Sequence, residues 1–431
     1  MSKVNALLPE LRFPEFVLGE AWKSKKISEL GDTISGLTGK SGEDFGEGMP
    51  FVTYKQVFDN SVIDYRDCGR VKIYTNENQN TLQRGDVLFT TSSETPNEVG
   101  FASVLVEVPK EPTYLNSFCF SLRPFNLDEI QPQFSRYLFH SPIYRKAITA
   151  LAQGSTRYNI SKGAFLNLTL SVPNSAEQQK IASCLSSLDE LITAHSQKLE
   201  LLKYYKKGLM QNLFPQEGEK APKYRFSEFV QEWKKTALAE HVDLTSGYAF
   251  QSKFFSKQGK KLITPKNFTK EGKANFDKGN TKFTTEQFDP KHLCVPDDLL
   301  LLLTDLTPSC ELLGKPILLT QEDGNVLLNQ RIIKVTITSN LDKRFLLQYF
   351  LTSQFHRRIK STASGSTVRH SSNKIILDTQ LIIPNEFGEQ EKIASCLSSL
   401  DNLILAQRAK IEQLHLHKKG LMQVLFPKLN D

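Results

Sequence analysis

The chain has 431 residues, and 54 Lys+Arg against 47 Asp+Glu leave a formal charge of +7. That length predicts two or three domains, and 39% hydrophobic with 23% charged residues supplies each with a core, which excludes a disordered polymer or a histone-like polycation. The longest aliphatic run, Leu299 to Leu303, falls far short of the ~20 residues of a membrane-crossing helix, and Met1 to Phe16 lacks the apolar centre of a signal peptide, so a soluble, unexported protein is expected.

Past an N-terminal arm (1–16), the first globular stretch (17–175) is strand-rich. Val87 to Thr91, Ala102 to Val106 and Phe118 to Leu122 are short β-branched or aromatic runs punctuated by Gly, Pro and Asn. Phe134 to Leu151 instead carries helical spacing with aromatic anchors. Residues 176–215 predict one long helix. Its apolar positions Ile181, Leu185, Leu188, Ile192, Leu199, Leu202, Leu209 and Leu213 step by alternating fours and threes, a heptad seam interrupted only by the polar His195 and Lys206. Ser175-x-x-Gln178 fits a capping box, and Pro215 stops the helix. Polar Gln216 to Lys223 opens a linker and second arm (216–229). A second domain (230–385) follows, with a strand at Ile332 to Ile337 and helical spacing over Lys343 to Ile359. Residues 386–431 predict a second long helix and tail, with seam residues Ile393, Leu397, Leu400, Ile404, Ile411, Leu414, Leu421 and Leu425, polar Gln407 and Lys418 at the two corresponding interruptions, and Pro427 at the end.

The two helices are copies. Glu177 to Pro215 aligns without gaps on Glu389 to Pro427, with 27 of 39 positions identical, so the chain is an internal duplication. The preceding domains match loosely but in the same order. Leu11-Arg12-Phe13-Pro14-Glu15-Phe16 returns as Tyr224-Arg225-Phe226-Ser227-Glu228-Phe229, Trp22 as Trp233, Ser35-Gly36 as Ser246-Gly247, Lys55 as Lys266, Thr95-Pro96 as Thr307-Pro308, Leu115-Asn116 as Leu328-Asn329, and Gly154-Ser155-Thr156 as Gly365-Ser366-Thr367. One α+β fold with two different surfaces implies the same task on two different ligands. Each helix of about 37 residues would run ~55 Å. Its seam needs a partner, for which the other copy is the obvious candidate. The expected architecture is two duplicated domains joined by two long repeated helices in an antiparallel coiled coil with pseudo-twofold symmetry, His195 and Gln407 setting register.

The pattern E-Q-x-K-I-A-x-x-L-x-x-L-D-x-x-I, here Glu177-Gln178, Lys180-Ile181-Ala182, Leu185, Leu188-Asp189 and Ile192, with the ending Leu209-Met210-Gln211-x-Leu213-Phe214 and its copy 212 residues on, resembles the specificity subunit of type I restriction-modification enzymes. The resemblance covers nearly the whole chain. It implies two target-recognition domains, each reading one half of a split, asymmetric site in double-stranded DNA, with the helices setting the gap and helping to dock the modification subunits. It also implies a noncatalytic, cytoplasmic protein of a bacterium or archaeon, without membrane contact. Two modification subunits with S-adenosylmethionine and two restriction subunits with ATP and Mg would be its partners, and this chain would hold no cofactor.

Consistent with that implication, the chain carries no N-P-P-Y-like methyltransferase motif, no G-x-G-x-x-G between strand and helix, no H-E-x-x-H and no C-x-x-C. The cysteines (Cys68, Cys119, Cys184, Cys294, Cys310, Cys396) are expected as buried reduced thiols. Gly36-Leu37-Thr38-Gly39-Lys40-Ser41 lacks the first glycine of a phosphate loop, and a surface turn touching phosphates is the alternative to a plain turn. Polar loops that combine short donors with a cation are the candidate DNA contacts: Lys55, Thr91, Ser92, Ser93, and Gly154, Ser155, Thr156, Arg157, Tyr158 and Asn159 in the first domain. Lys266, Gly365, Ser366, Thr367, Arg369 and His370 are the candidates in the second, where the G-S-T-x-R-like turn carries one inserted residue before its arginine. A coiled-coil adaptor with two protein-binding domains is the competing class. A self-contained methylating enzyme is a third, disfavoured by the missing motifs.

Overall fold

The computed structural model describes residues 8–305, 309–365 and 368–428. The chain divides into two compact units, Met1–Ser196 with Ala409–Asp431, and Gln197–Arg408. This division runs through both long helices rather than around them.

In the first unit an antiparallel sheet of order Gly31–Ser35, Cys119–Pro124, Val87–Thr90, Ala102–Val104 carries the core. A second sheet orders Gly69–Val71, Phe45–Val52, Tyr114–Leu115, the last pair parallel. Lys23–Lys26 pairs with Thr169–Val172, which leads into the long helix Ser175–Leu213. The second unit repeats the plan. Its core sheet orders Val242–Ser246, Ile332–Ile337, Leu299–Leu302, Pro316–Leu318, and Lys260–Ile263 runs parallel to Val326–Leu328 in the other sheet. Trp233–Ala237 pairs with Gln380–Pro384, followed by the long helix Phe387–Val424. Two recurring landmarks prove to be one contact. A Cβ on Gly36 would sit 2.1 Å from the Asn116 carbonyl oxygen, and one on Gly247 would sit 1.9 Å from that of Asn329, so only glycine admits the approach.

The helical stretch expected over Phe134 to Leu151 is two helices, Pro132–Leu138 and Pro142–Ala150. Pro142 cannot donate and drives Ser141 out of the helical region (ψ 150°), and the Ser141 hydroxyl caps Tyr144 N at 3.4 Å. Lys343–Leu351 and Ser353–Ser361 break at the same place, with Thr352 Oγ1 accepting from Phe355 N at 3.2 Å. The capping box expected at Ser175 is also displaced by one residue. Asn174 Oδ1 accepts from Glu177 N at 3.0 Å, while Gln178 spends its side chain on tertiary bonds.

Every seam position of the two long helices (39 and 38 residues) is buried or half-buried, as are Gln407 and His195. Within each unit the helical segments pair antiparallel. In the first, Ile181 and Leu185 share a core with Leu421 and Leu425, and Asp189 accepts from Lys418 Nζ at 2.5 Å. In the second, Leu209 and Leu213 lie with Ile393 and Leu397, and Lys206 Nζ bonds Asp401 at 2.7 Å. The two lysines that interrupt the seam are thus neutralised across it, which fixes register locally.

Candidate nucleic-acid interface

Each domain is joined to its helix by the same set of bonds. Arg12 grips Glu177 bidentately (2.8 and 2.6 Å), and both side chains are almost fully buried. Lys180, one turn on, pairs with Glu15 at 2.9 Å and lies over the Phe13 ring. In the second unit Arg225 grips Glu389 (2.7 and 2.7 Å), and Lys392 pairs with Glu228 and covers Phe226. The hydrogen bond to the carboxylate raises the guanidinium pKa in Arg12 and Arg225 alike. Gln178 accepts from Gln131 N at 3.0 Å, and Gln390 from Asp342 N at 2.8 Å. The arm motif R-F-x-E-F and the helix motif E-Q-x-K are therefore two halves of one joint, which clamps the domain at a set angle on the first turn of its helix. At the other end of the motif, Phe426 packs between Trp22 (6.1 Å) and Phe134 (5.8 Å) in the first unit, and Phe214 packs on Phe345 (5.3 Å) and Tyr349 (6.1 Å) in the second. Each L-M-Q-x-L-F ending completes a core.

On this scaffold the first unit gathers most of its candidate residues. The turn from Gln153 to Asn159 closes on itself through Gln153 N to Asn159 O (3.0 Å) and the reciprocal bond (2.8 Å). Gly154 supplies φ +132°, where a Cβ would meet the Arg157 carbonyl oxygen at 2.1 Å. Tyr158–Asn159 pairs with Ser92–Ser93, and the Tyr54 hydroxyl donates to Ser92 O at 2.6 Å, which ties in the helix Tyr54–Asp59 and its exposed Lys55. Ser155, Thr156 and Arg157 are exposed and Thr91 is half-buried. Ser92 and Ser93, expected in an open polar loop, lie instead in a buried strand, where the Ser93 hydroxyl is spent on Glu98 at 2.9 Å. The Arg157 guanidinium has no ion pair among the described residues and rests 5.6 Å from the Phe118 ring, itself 55% exposed. The sequence marks Phe118 only as the start of a strand run, whereas the strand begins at Cys119. Its signal was a large aromatic in the polar stretch Asn116-Ser117-Phe118. A planar cation held on an exposed ring presents free paired donors, the geometry that reads guanine in the major groove.

The second unit keeps the turn and changes its tip. Ser364 and His370 exchange the bonds that Gln153 and Asn159 exchange, Gly365 has φ +97°, and a Cβ there would meet the Val368 carbonyl oxygen at 2.1 Å. Both turns thus have the same length, and the insertion inferred from the sequence is absent. Val368 stands where Arg157 stands, while Arg369 takes the place of Tyr158 in a strand paired with Thr304–Asp305. Arg369 is half-buried and reaches Ala363 O at 3.5 Å, and His370 Nδ1 lies 3.1 Å from Thr304 Oγ1. Lys266 is exposed on the turn Pro265–Asn267, the counterpart of Lys55. Ser366 and Thr367, with the landmark Thr307-Pro308, lie outside the described residues.

Other candidate chemistry is absorbed by the fold. Lys40, in the glycine-rich turn, is 3% exposed and bonded to Glu77 (2.6 Å) and Lys72 O (2.6 Å), so it is not available to phosphates. All six cysteines are free thiols, and burial pushes Cys119 and Cys294 up to about 12, far from a nucleophile. Among the described residues there is no cluster that could hold a metal ion and no helix long and apolar enough to cross a membrane.

The family model of the type I restriction modification DNA specificity domain matches the chain twice, over residues 19–204 and 231–416. The chain belongs to this DNA specificity family. The two matched segments coincide with the two copies of the duplication, each a domain followed by most of its long helix. Among relatives, the MjaVIII specificity subunit of Methanocaldococcus jannaschii is 27% identical over 67% of this chain and 68% of its own length. The putative MjaX specificity subunit of the same organism is 25% identical over 94% of this chain and 93% of its own. The crystal structure of the S subunit of a type I restriction-modification system from M. genitalium shares the fold, with a TM-score of 0.57 at 18% identity over 98% of this chain and all of that one. The specificity subunit's duplicated α+β architecture with long paired helices is therefore that of the family, and nothing favours the adaptor alternative.

Proposed function

We propose that this specificity subunit is the noncatalytic reader of a type I restriction-modification enzyme, in which each domain reads one half of a split, asymmetric duplex site and the long helices set the unread gap. One observation carries the division of labour. The same R-F-x-E-F to E-Q-x-K joint clamps both domains on their helices, while the turn above it presents Arg157 on Phe118 in one unit and Val368 in the other. A common mount with different tips suits two readers of different sequence. Lys55 and Lys266, exposed at corresponding positions of the two repeats, suit phosphate contacts that position without specifying. S-adenosylmethionine would be bound by two modification subunits, and ATP and Mg by two restriction subunits, with this chain contributing no cofactor site. The assembly would work in the cytoplasm of a bacterium or archaeon.

The test is to exchange residues 17–175 for the matching domain of a relative and map methylated adenines in cells that also express the modification subunit. One half of the methylated sequence should change and the other half persist. A change in both halves would refute one reader per half-site.

A further inference from the structure

The two units carry opposite charge on one stretch of the repeat. Between its landmark glycine and the strand Val87–Thr90, the first unit (residues 37–86) has six cations against eight carboxylates, a net −2. Between its own landmark glycine and the strand Leu299–Leu302, the second (248–298) has ten lysines and no arginine against six carboxylates, a net +4. The contacts widen the difference. In the first unit four of the six cations are held by carboxylates: Lys40 by Glu77, Arg66 by Asp64, Arg70 by Glu111 and Lys72 by Glu47. In the second every carboxylate of the stretch is already occupied. Glu271, Asp297 and Asp298 pair with Arg408, Lys343 and Lys334, Asp289 pairs with Lys291, and Asp277 and Glu286 accept from the backbone N–H groups of Gly279 and Gln251. Lys253, Lys257, Lys260, Lys266, Lys278 and Lys282 are left exposed, with no ion pair among the described residues.

One sheet orders four of these six. Lys260 stands opposite Thr284 and Lys282 opposite Leu262, so the two lysines are diagonal neighbours on one face of the antiparallel pair Lys260–Ile263 and Lys282–Thr284. Lys282 lies 5.3 Å over the Phe255 ring of the next strand, Phe255–Ser256, and Lys253, just before that strand, lies 5.0 Å over Phe254. At its other end Lys260–Ile263 runs into the turn that exposes Lys266. Rings that carry the lysine stems leave the ammonium heads in water. Such heads are point charges, without the planar fork that arginine brings to a base edge, and an unpaired row of them matches the phosphates of a duplex. Resting on the reading under Proposed function, we propose that the second unit is the electrostatic anchor of the protein on duplex DNA: its lysine face holds backbone phosphates whatever the base sequence, while the first unit adds discrimination with little charge.

The test measures binding of the full chain, with the modification subunit encoded beside it, to a duplex that holds the methylated site and to one that lacks both halves, over a range of salt. Lys260→Gln with Lys282→Gln should weaken both duplexes alike and flatten the dependence of log affinity on log salt by about 0.9 for each lost phosphate contact, hence by about 2 for the pair. The Lys→Arg pair should keep the slope. Arg66→Gln with Arg70→Gln, in the first unit, should leave it unchanged, and every variant should keep its melting temperature and the methylated sequence. An equal flattening by the first-unit pair, or an unchanged slope in the second-unit pair, overturns the assignment. So does a loss confined to the duplex that holds the site, which would make the lysines base contacts, or a loss of the modification subunit at unchanged DNA affinity, which would make the face a protein surface. If the unaltered complex binds neither duplex, the functional reading falls, and this assignment with it.

Discussion

Phe426→Ala should loosen the first unit and leave the second almost untouched. Phe426 is 1% exposed, stacked on Phe134 at 22° and set edge-on to Trp22 at 87°. Truncating such a ring costs about 3–5 kcal/mol, the transfer of the ring plus the cavity it leaves. With an m-value near 3 kcal/mol/M for a unit of this size, the urea midpoint should fall by about 1–2 M. The sequence supplies the assay, because its only tryptophans, Trp22 and Trp233, sit one in each unit. In a Trp233→Phe background the fluorescence of Trp22 follows the first unit, and in a Trp22→Phe background Trp233 follows the second. Phe426→Ala should shift only the Trp22 transition, and Phe214→Ala only that of Trp233. Equal shifts of both transitions by either change would show that the chain unfolds as one cooperative body. A Phe426→Ala effect below about 1 kcal/mol would show that the ring does not complete the core.

Burial holds the His140 imidazole at about 4 instead of 6.5, with Nε2 2.7 Å from Ala102 O. Between those values the unfolded chain takes up a proton that the folded one refuses, so stability is lost as pH falls from 6.5 towards 4, by at most about 1.4 kcal/mol per unit. The Trp22 urea midpoint should show this slope, and His140→Gln should flatten it. An identical slope in the variant would assign the loss to other groups. Arg157→Ala should weaken recognition of one half-site by about 1–3 kcal/mol. Binding assays on DNAs altered in that half would show it, whereas a uniform loss on every sequence would make Arg157 a phosphate contact. Four residues inserted in both long helices, after Ser196 and after Arg408, leave the contacts inside each unit intact and add about 6 Å of helix. The preferred gap should lengthen by one or two base pairs at ~3.4 Å each. An unchanged gap in an active complex would set the spacing elsewhere.

The long helices were legible because a heptad seam repeats along one element, and a duplication prints it twice. The strand Ile332–Ile337 was legible as a β-branched run, and the arms as paired motifs. What the arms and the E-Q-x-K turn do was not, since Arg12 and Glu177 stand 165 positions apart and their joint exists only in three dimensions. The break at Ser141 could have been read from Pro142, but Thr352 gives no such warning, as threonine is tolerated within helices and acts here through its hydroxyl. The turn at Gly365 misled because an arginine was aligned by identity. The backbone aligns by its glycine and its closing bonds, which put Val368 at the tip. Ser92 and Ser93 show the converse limit, since short polar residues mark loops and buried strand edges alike.

The discontinuous first unit imposes an order on synthesis. Trp22 and Phe134 leave the ribosome early, but the ring that fills the slot between them is residue 426, some 230 residues behind Ser196. At about 5–20 residues per second that interval is on the order of 10–45 s. Throughout it the nascent first unit holds an open aromatic slot, while Phe214, in its near-identical L-M-Q-x-L-F context, emerges long before Phe426. The first ending made thus waits in its turn for Phe345, the ring it packs on in the second core.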